Sequence, residues 1–211
     1  MFDTKWEETV ILVDADYVDK VAFDLIVNFE RMLGRRIPQA DTAQWLECVA
    51  LDGGVRLPEE QGARSIRNAT LCSAEKEQEN SIQVVLLHTK PQMSNFAPGA
   101  MSELDGKAFQ SELGEFLISC VPVEELTTTD ALFVDSLQIL ANAAEVKRLM
   151  VVGNDAYYNK VRDGLRHADT DKHITVFAMQ PMPSGQFRQE ILGYSLMAAL
   201  GIKSEELNKV S

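Results

Sequence analysis

Three acidic segments carry the residue types that could do chemistry: V-I-L-V-D-A-D-Y at 10–17, T-T-T-D-A-L-F-V-D-S-L at 127–137 and L-M-V-V-G-N-D-A-Y-Y at 149–158. Two are apolar runs that stop abruptly at an oxygen-bearing side chain, Asp14 with Asp16 in one and Asn154 with Asp155 in the other. The remaining segment opens a helix at Asp130. Carboxylate and carboxamide oxygens suit a hard divalent cation such as Mg²⁺ or Mn²⁺. Such an ion activates water for attack on a phosphodiester. Asp14 and Asp130 are therefore the candidate catalytic residues. Asp14, Asp16, Asp130, Asn154 and Asp155 are the candidate cation ligands, and Asp135, Tyr17 and Tyr157 are accessory candidates.

Each of these residues also has a purely structural reading. Asp14 or Asp16 can cap the helix that follows the first strand, and for one acid alone that reading weighs as much as the site. Two acids at i and i+2 after so apolar a run shift the balance towards a site. Thr128 or Thr129 fits an N-cap, which leaves Asp130 in the positive first turn. Asp135 stands five residues on, turned by roughly 140° around the helix, so it is the weaker ligand. Gly153 permits a sharp turn and close backbone approach. Tyr157 and Tyr158 fit base stacking, but aromatics at the rim of the core are the plainer reading.

The elements that must position these residues alternate. Strands are expected at 9–13, 82–89, 115–121, 148–152 and 174–178, from uninterrupted apolar runs rich in β-branched residues. Helices are expected at 17–33, 42–52, 101–113, 130–144, 156–165 and 187–200, from apolar spacing of three and four. Gly34 and Pro38 close the first helix, and Asp41 caps the second. Strands alternating with helices predict an α/β fold, a doubly wound and mostly parallel sheet between helical layers in an α/β/α sandwich. Ligands of such sheets bind outside the carboxyl ends of the strands, where the acids are expected. Residues 1–203 are expected to form one domain, with a loop or hairpin insertion at 57–80 and a frayed tail at 204–211.

The bulk composition narrows the function. The chain has 211 residues, 45% hydrophobic and 25% charged, enough for a full core without disulfides. Its net charge of −12 works against a dedicated nucleic-acid-binding module. Local basic strips at Arg31, Arg35 and Arg36, or at Lys160, Arg162 and Arg166, read more simply as solvated charge. The three cysteines, Cys48, Cys72 and Cys120, show no C-x-x-C spacing, and buried reduced thiols are the plain reading. No signal peptide and no membrane span are expected, and the expected setting is the cytoplasm. With no G-x-G-x-x-G and no P-loop, no nucleotide cofactor is expected.

The three acidic segments together resemble the PIN-like superfamily, and within it the NYN domain. The resemblance covers roughly residues 9–180. D-A-D-Y stands where the family has D-x-x-N, with Asp14 kept and Tyr17 in place of the Asn. T-T-D-A-L-F-V-D-S-L stands for K-G-x-D-x-x-L-x-x-D, with Asp130 and Asp135 kept and Thr128-Thr129 replacing Lys-Gly. V-G-N-D-A-Y stands for S-G-D-x-D-F, with Asn154 and Ala156 at the two Asp positions. The resemblance implies a ribonuclease-type fold with a Mg²⁺ or Mn²⁺ site that is partly degenerate here, and RNA as the partner class. A non-catalytic interaction module on the same fold is the alternative. V-D-A-D-Y-V also resembles the opening of haloacid-dehalogenase phosphatases, which would make Asp14 a nucleophile and Asp16 an acid/base.

Overall fold

The computed structural model describes residues 5–57, 80–169 and 171–208. The expected insertion at 57–80 lies almost wholly outside them, as does Cys72. Seven strands form one sheet: β1 (Thr9–Asp14), β3 (Ser81–His88), β5 (Lys107–Ser111), β6 (Gly114–Pro122), β7 (Arg148–Val152), β8 (His173–Ala178) and β9 (Arg188–Ile191). A two-residue pair, β2 (Ala40–Asp41) with β4 (Phe96–Ala97), lies apart from it. The helices are α1 (Ala15–Leu33), α2 (Thr42–Asp52), α3 (Met101–Leu104), α4 (Thr129–Asn142), α5 (Tyr158–Gly164), α6 (Leu192–Ala199) and α7 (Ser204–Leu207), with a 3₁₀ turn at Asp155–Tyr157.

The spatial order is β5-β6-β3-β1-β7-β8-β9, and every neighbouring pair is parallel except β5 with β6. Counted by first appearance, the six parallel strands stand in the order 3-2-1-4-5-6. This is the doubly wound order in which the chain builds outward from β1 on one side and then returns to build on the other. The direction switches between β1 and β7, and a crevice opens there at the carboxyl ends of the strands.

Period-two alternation decides which face each residue feeds. Ile11 and Val13 of β1 join α1, α2 and α6 around Trp45, Phe96 and Phe116. Val10 and Leu12 join α4 and α5 around Phe133 and Leu137. The sheet is thus flanked by helices on both faces. Val10 to Val13 are all fully buried, so the core strand at the switch point has no solvent-facing side. Trp45 and Phe96 meet edge to face at 5.4 Å, a pair worth about 0.5–1.5 kcal/mol beyond the area it buries. The N-caps of α1 and α2 are Asp14 and Asp41, and Gly34 closes α1 at φ 63°.

Two expected helices are shorter than their spacing suggested. The stretch 101–113 is helical only over Met101–Leu104; Gly106 at φ 68° then turns the chain into β5, which pairs with β6 as a hairpin. The stretch 187–200 begins as β9, the far edge strand, and becomes α6 only at Leu192. Both edge strands expose much of their side-chain surface, so neither has the apolar run of a central strand. The expected frayed tail also differs: Ser204–Leu207 is a helical turn held by Arg35, whose Nε and Nη2 donate to Glu206 Oε1 and Oε2 at 2.7 and 2.8 Å.

Candidate functional site

The switch-point crevice is a cleft of about 650 Å³ lined by Asp14, Asp16, Tyr17, Lys20, Lys90, Thr129, Asp130, Asn154, Ala156, Tyr157 and Lys160. Most of the residues singled out in sequence therefore converge. Two do not: Asp135 is exposed on α4, and Asp155 lies outside the cleft lining. Asp155 turns instead towards Tyr17 and the Met179 backbone, and burial raises its carboxyl above the ordinary range.

Asp14 is the last residue of β1, the N-cap of α1, and only 2% exposed. Its Oδ1 accepts from Tyr17 N–H at 3.0 Å, and its Oδ2 accepts from the Tyr157 hydroxyl at 2.6 Å. The capping role that a strand-end acid allowed is thus the one the structure uses. Burial raises the Asp14 carboxyl, the Tyr157 hydrogen bond pulls it partly back down, and the nearby Asp16 charge adds to the rise. Tyr157, 9% exposed, has its phenol pushed well above the usual tyrosine range by burial and by the Asp14 charge it faces. It therefore acts as a fixed hydrogen-bond donor.

Asp16 reaches across to the end of β3. Its Oδ2 accepts from Thr89 N–H at 2.8 Å and Thr89 Oγ1 at 2.5 Å, and its Oδ1 accepts from Lys90 N–H at 3.3 Å. It therefore holds the loop that carries Lys90 over the cleft. Asp19, one residue before Lys20, does the same for the next turn by accepting from Asn95 N–H at 2.8 Å.

Asp130 sits in the first turn of α4, whose N-cap Thr128 accepts from Ala131 N–H at 3.4 Å. The Lys160 ammonium is paired with its Oδ2. That bond, with the Thr128 hydroxyl, holds the Asp130 carboxyl down to about 2. Asn154 caps the 3₁₀ turn, its Oδ1 accepting from Ala156 N–H at 2.9 Å. Gly153 is needed for packing: a Cβ there would stand 3.0 Å from the Phe133 ring. Its absence lets Phe133 lie under the cleft floor, 5.4 Å from Tyr157.

Among the described residues, no three His, Cys, Asp or Glu side chains are grouped to hold a metal ion. The donor set does not fit a divalent cation as arranged. Asp14 offers neither oxygen freely, Asn154 Oδ1 is engaged by backbone, and Asp130 already faces a cation, Lys160. Asp14 is equally closed to nucleophilic attack, and Asp16 is committed to Thr89. The α1 N-terminus, a natural anion site in this fold, is filled by Asp14 itself.

Lys20 and Lys90 were not singled out in sequence. Lys20 could have been, because it stands four residues after Asp16 on α1 and so shares its helix face. Lys90 carried no such signal. Together with Lys160 they set three ammonium groups against Asp14, Asp16 and Asp130 in a chain of net charge −12.

The profile of DUF6621, a family of unknown function, matches residues 3–207. The chain belongs to this DUF6621 family. The match spans every strand of the sheet and every residue that lines the cleft. No curated protein and no solved structure matches the chain. Among the described residues no helix is long and apolar enough to cross a membrane.

Proposed function

We propose that this DUF6621 chain is a PIN-like domain of the NYN type, a three-layer α/β/α fold in which the ancestral cation site has become a ligand-binding cleft that does not cut phosphodiesters. One observation carries this reading: the cleft carboxylates are taken by protein donors, Asp14 by Tyr157, Asp16 by Thr89 and Asp130 by Lys160. A cation-dependent nuclease needs open carboxylate oxygens, and a fixed ammonium on Asp130 repels the metal that the site would otherwise attract.

The ligand class that fits is a short anionic strand, single-stranded RNA in the first instance. Lys20 and Lys90 supply local positive charge at the cleft mouth, against a long-range field of the opposite sign. Binding of this kind is weak and salt-sensitive. A reducing cytoplasmic setting fits the unpaired thiols of Cys48 and Cys120, both raised by burial, Cys120 to about 11.

The test pairs fluorescence anisotropy of a labelled single-stranded RNA at low salt with gel analysis of the same RNA in Mg²⁺ and Mn²⁺. The expected result is salt-sensitive binding, weakened in Lys20→Ala and Lys90→Ala, with the RNA intact. Cleavage that disappears in Asp14→Asn would overturn the non-cleaving part of the reading. Absence of RNA binding would overturn the ligand class.

A further inference from the structure

Asp16 carries the wrong sign for a cleft that takes an anion, yet it lines that cleft with Lys20 and Lys90. Among the described residues it pairs with no lysine or arginine, unlike Asp130 with Lys160. A bare carboxylate there would repel what the lysines attract. Its side chain is instead spent on main chain. It accepts from Thr89 N–H, Thr89 Oγ1 and Lys90 N–H, the two residues that follow β3.

The main chain of Lys90 is held on both sides. Its N–H donates to Asp16 Oδ1 at 3.3 Å, and its carbonyl oxygen lies 2.9 Å from His88 Nδ1. Pro91 follows and disfavours a helical turn at Lys90. Further along α1, the buried Asp19 ties down the far end of the same loop. Its Oδ1 accepts from Asn95 N–H at 2.8 Å and from Asn95 Nδ2 at 3.1 Å. Helix α1 thus carries Lys20 directly and Lys90 through Asp16. The Lys90 side chain is exposed and makes no hydrogen bond or ion pair among the described residues. Fixing the main chain beneath such a lysine reduces the freedom it must lose when it engages a ligand.

We propose that Asp16 is a positioning residue: it fixes the main chain of Lys90 so that the ammonium is presented to the cleft, a role that rests on the cleft being an anion site. Simple electrostatics makes the opposite prediction. Removing an acid from an anion site relieves repulsion and tightens binding. Removing a positioning residue loses the Lys90 contact and weakens binding.

Fluorescence anisotropy of a labelled single-stranded RNA across a salt series, with the full chain, separates the two. One lysine–phosphate contact contributes about 1 to the slope of log affinity against log salt. Asp16→Ala should weaken binding and reduce the slope by about 1, as Lys90→Ala does. In the Asp16→Ala background Lys90→Ala should have no further effect, while Lys20→Ala keeps its own. Asp16→Asn retains an oxygen for Thr89 without the charge and should restore the slope. Amide hydrogen exchange on the free protein needs no RNA. In Asp16→Ala the Thr89 amide should exchange faster by about tenfold or more, because it loses a charged acceptor. The Lys90 amide should follow, and the Asn95 amide, bound to Asp19, should not change. Thr89→Val, which deletes the hydroxyl bond to Asp16, stands in with the same direction of change if Asp16→Ala does not fold. Tighter RNA binding in Asp16→Ala, a full Lys90→Ala effect in its background, or unchanged exchange at Thr89 and Lys90 would each overturn the proposal. Absence of RNA binding by the wild type would overturn the ligand class alone, and the exchange rates would still decide the role of Asp16.

Discussion

Removing the hydroxyl of Tyr157 isolates the contact on which the reading of the cleft turns. Tyr157→Phe keeps the ring that packs on Phe133 and deletes only the 2.6 Å donor to Asp14 Oδ2. A hydrogen bond to a charged group is worth about 1.5–3 kcal/mol, and here the acceptor it leaves belongs to a side chain only 2% exposed. A loss of about 2 kcal/mol at neutral pH is therefore expected, or about 4–8 °C in Tm for a chain of this size. The loss should depend on pH with a definite sign. Asp14 in the folded protein titrates above the 3.8 of a free carboxyl, because burial outweighs its hydrogen bonds. Its ionisation thus costs stability as pH rises from 3.8 through the folded value, and the cost is constant above that. Without the Tyr157 donor the folded value climbs further. The deficit of Tyr157→Phe should be smallest in acid, where Asp14 is protonated in both states, and should grow towards neutral pH. Urea unfolding followed by circular dichroism, at a series of pH values, measures both quantities. A deficit below about 0.5 kcal/mol that does not change with pH would refute the buried Asp14–Tyr157 bond.

Two other perturbations probe neighbouring contacts. Lys160→Ala should return the Asp130 carboxyl from about 2 towards 3.8; the Asp130 bond stabilises the fold above 3.8 and is lost as pH falls towards 2, so the variant should flatten that part of the acid stability curve, and carboxyl NMR titration reads the shift directly. Gly53→Ala would place a Cβ 2.2 Å from the Met150 sulfur and should destabilise by about 1–3 kcal/mol through forced repacking, measurable by denaturant titration.

Much of the fold was legible in the sequence because buried parallel strands need continuous apolar residues. Val10 to Val13, Val84 to Leu87 and Leu149 to Val152 meet that need and stood out as strands. Lys107–Ser111 and Arg188–Ile191 did not, since an edge strand faces solvent and carries polar side chains. Each was read as part of an adjoining helix whose apolar spacing ran on by chance. In the site, the strand-end places of Asp14 and Asn154 followed from where the apolar runs stop. What neutralises each acid did not. Tyr157 lies 143 residues from Asp14, Thr89 lies 73 from Asp16 and Lys160 lies 30 from Asp130. Spacing along one chain reveals the charge to be satisfied, while the partner is set by sheet order. For the same reason the sequence suggested a cation among free acids, where the structure sets three lysines beside carboxylates already engaged.

The most direct test of the central claim is calorimetric titration of the wild-type chain with Mn²⁺, alongside Asp14→Asn. If the cleft carboxylates are committed to Tyr157, Thr89 and Lys160, the two proteins should give the same unsaturable heats. A saturable Mn²⁺ isotherm near one equivalent in the wild type, abolished by Asp14→Asn, would contradict the account and restore the cleft as a metal site.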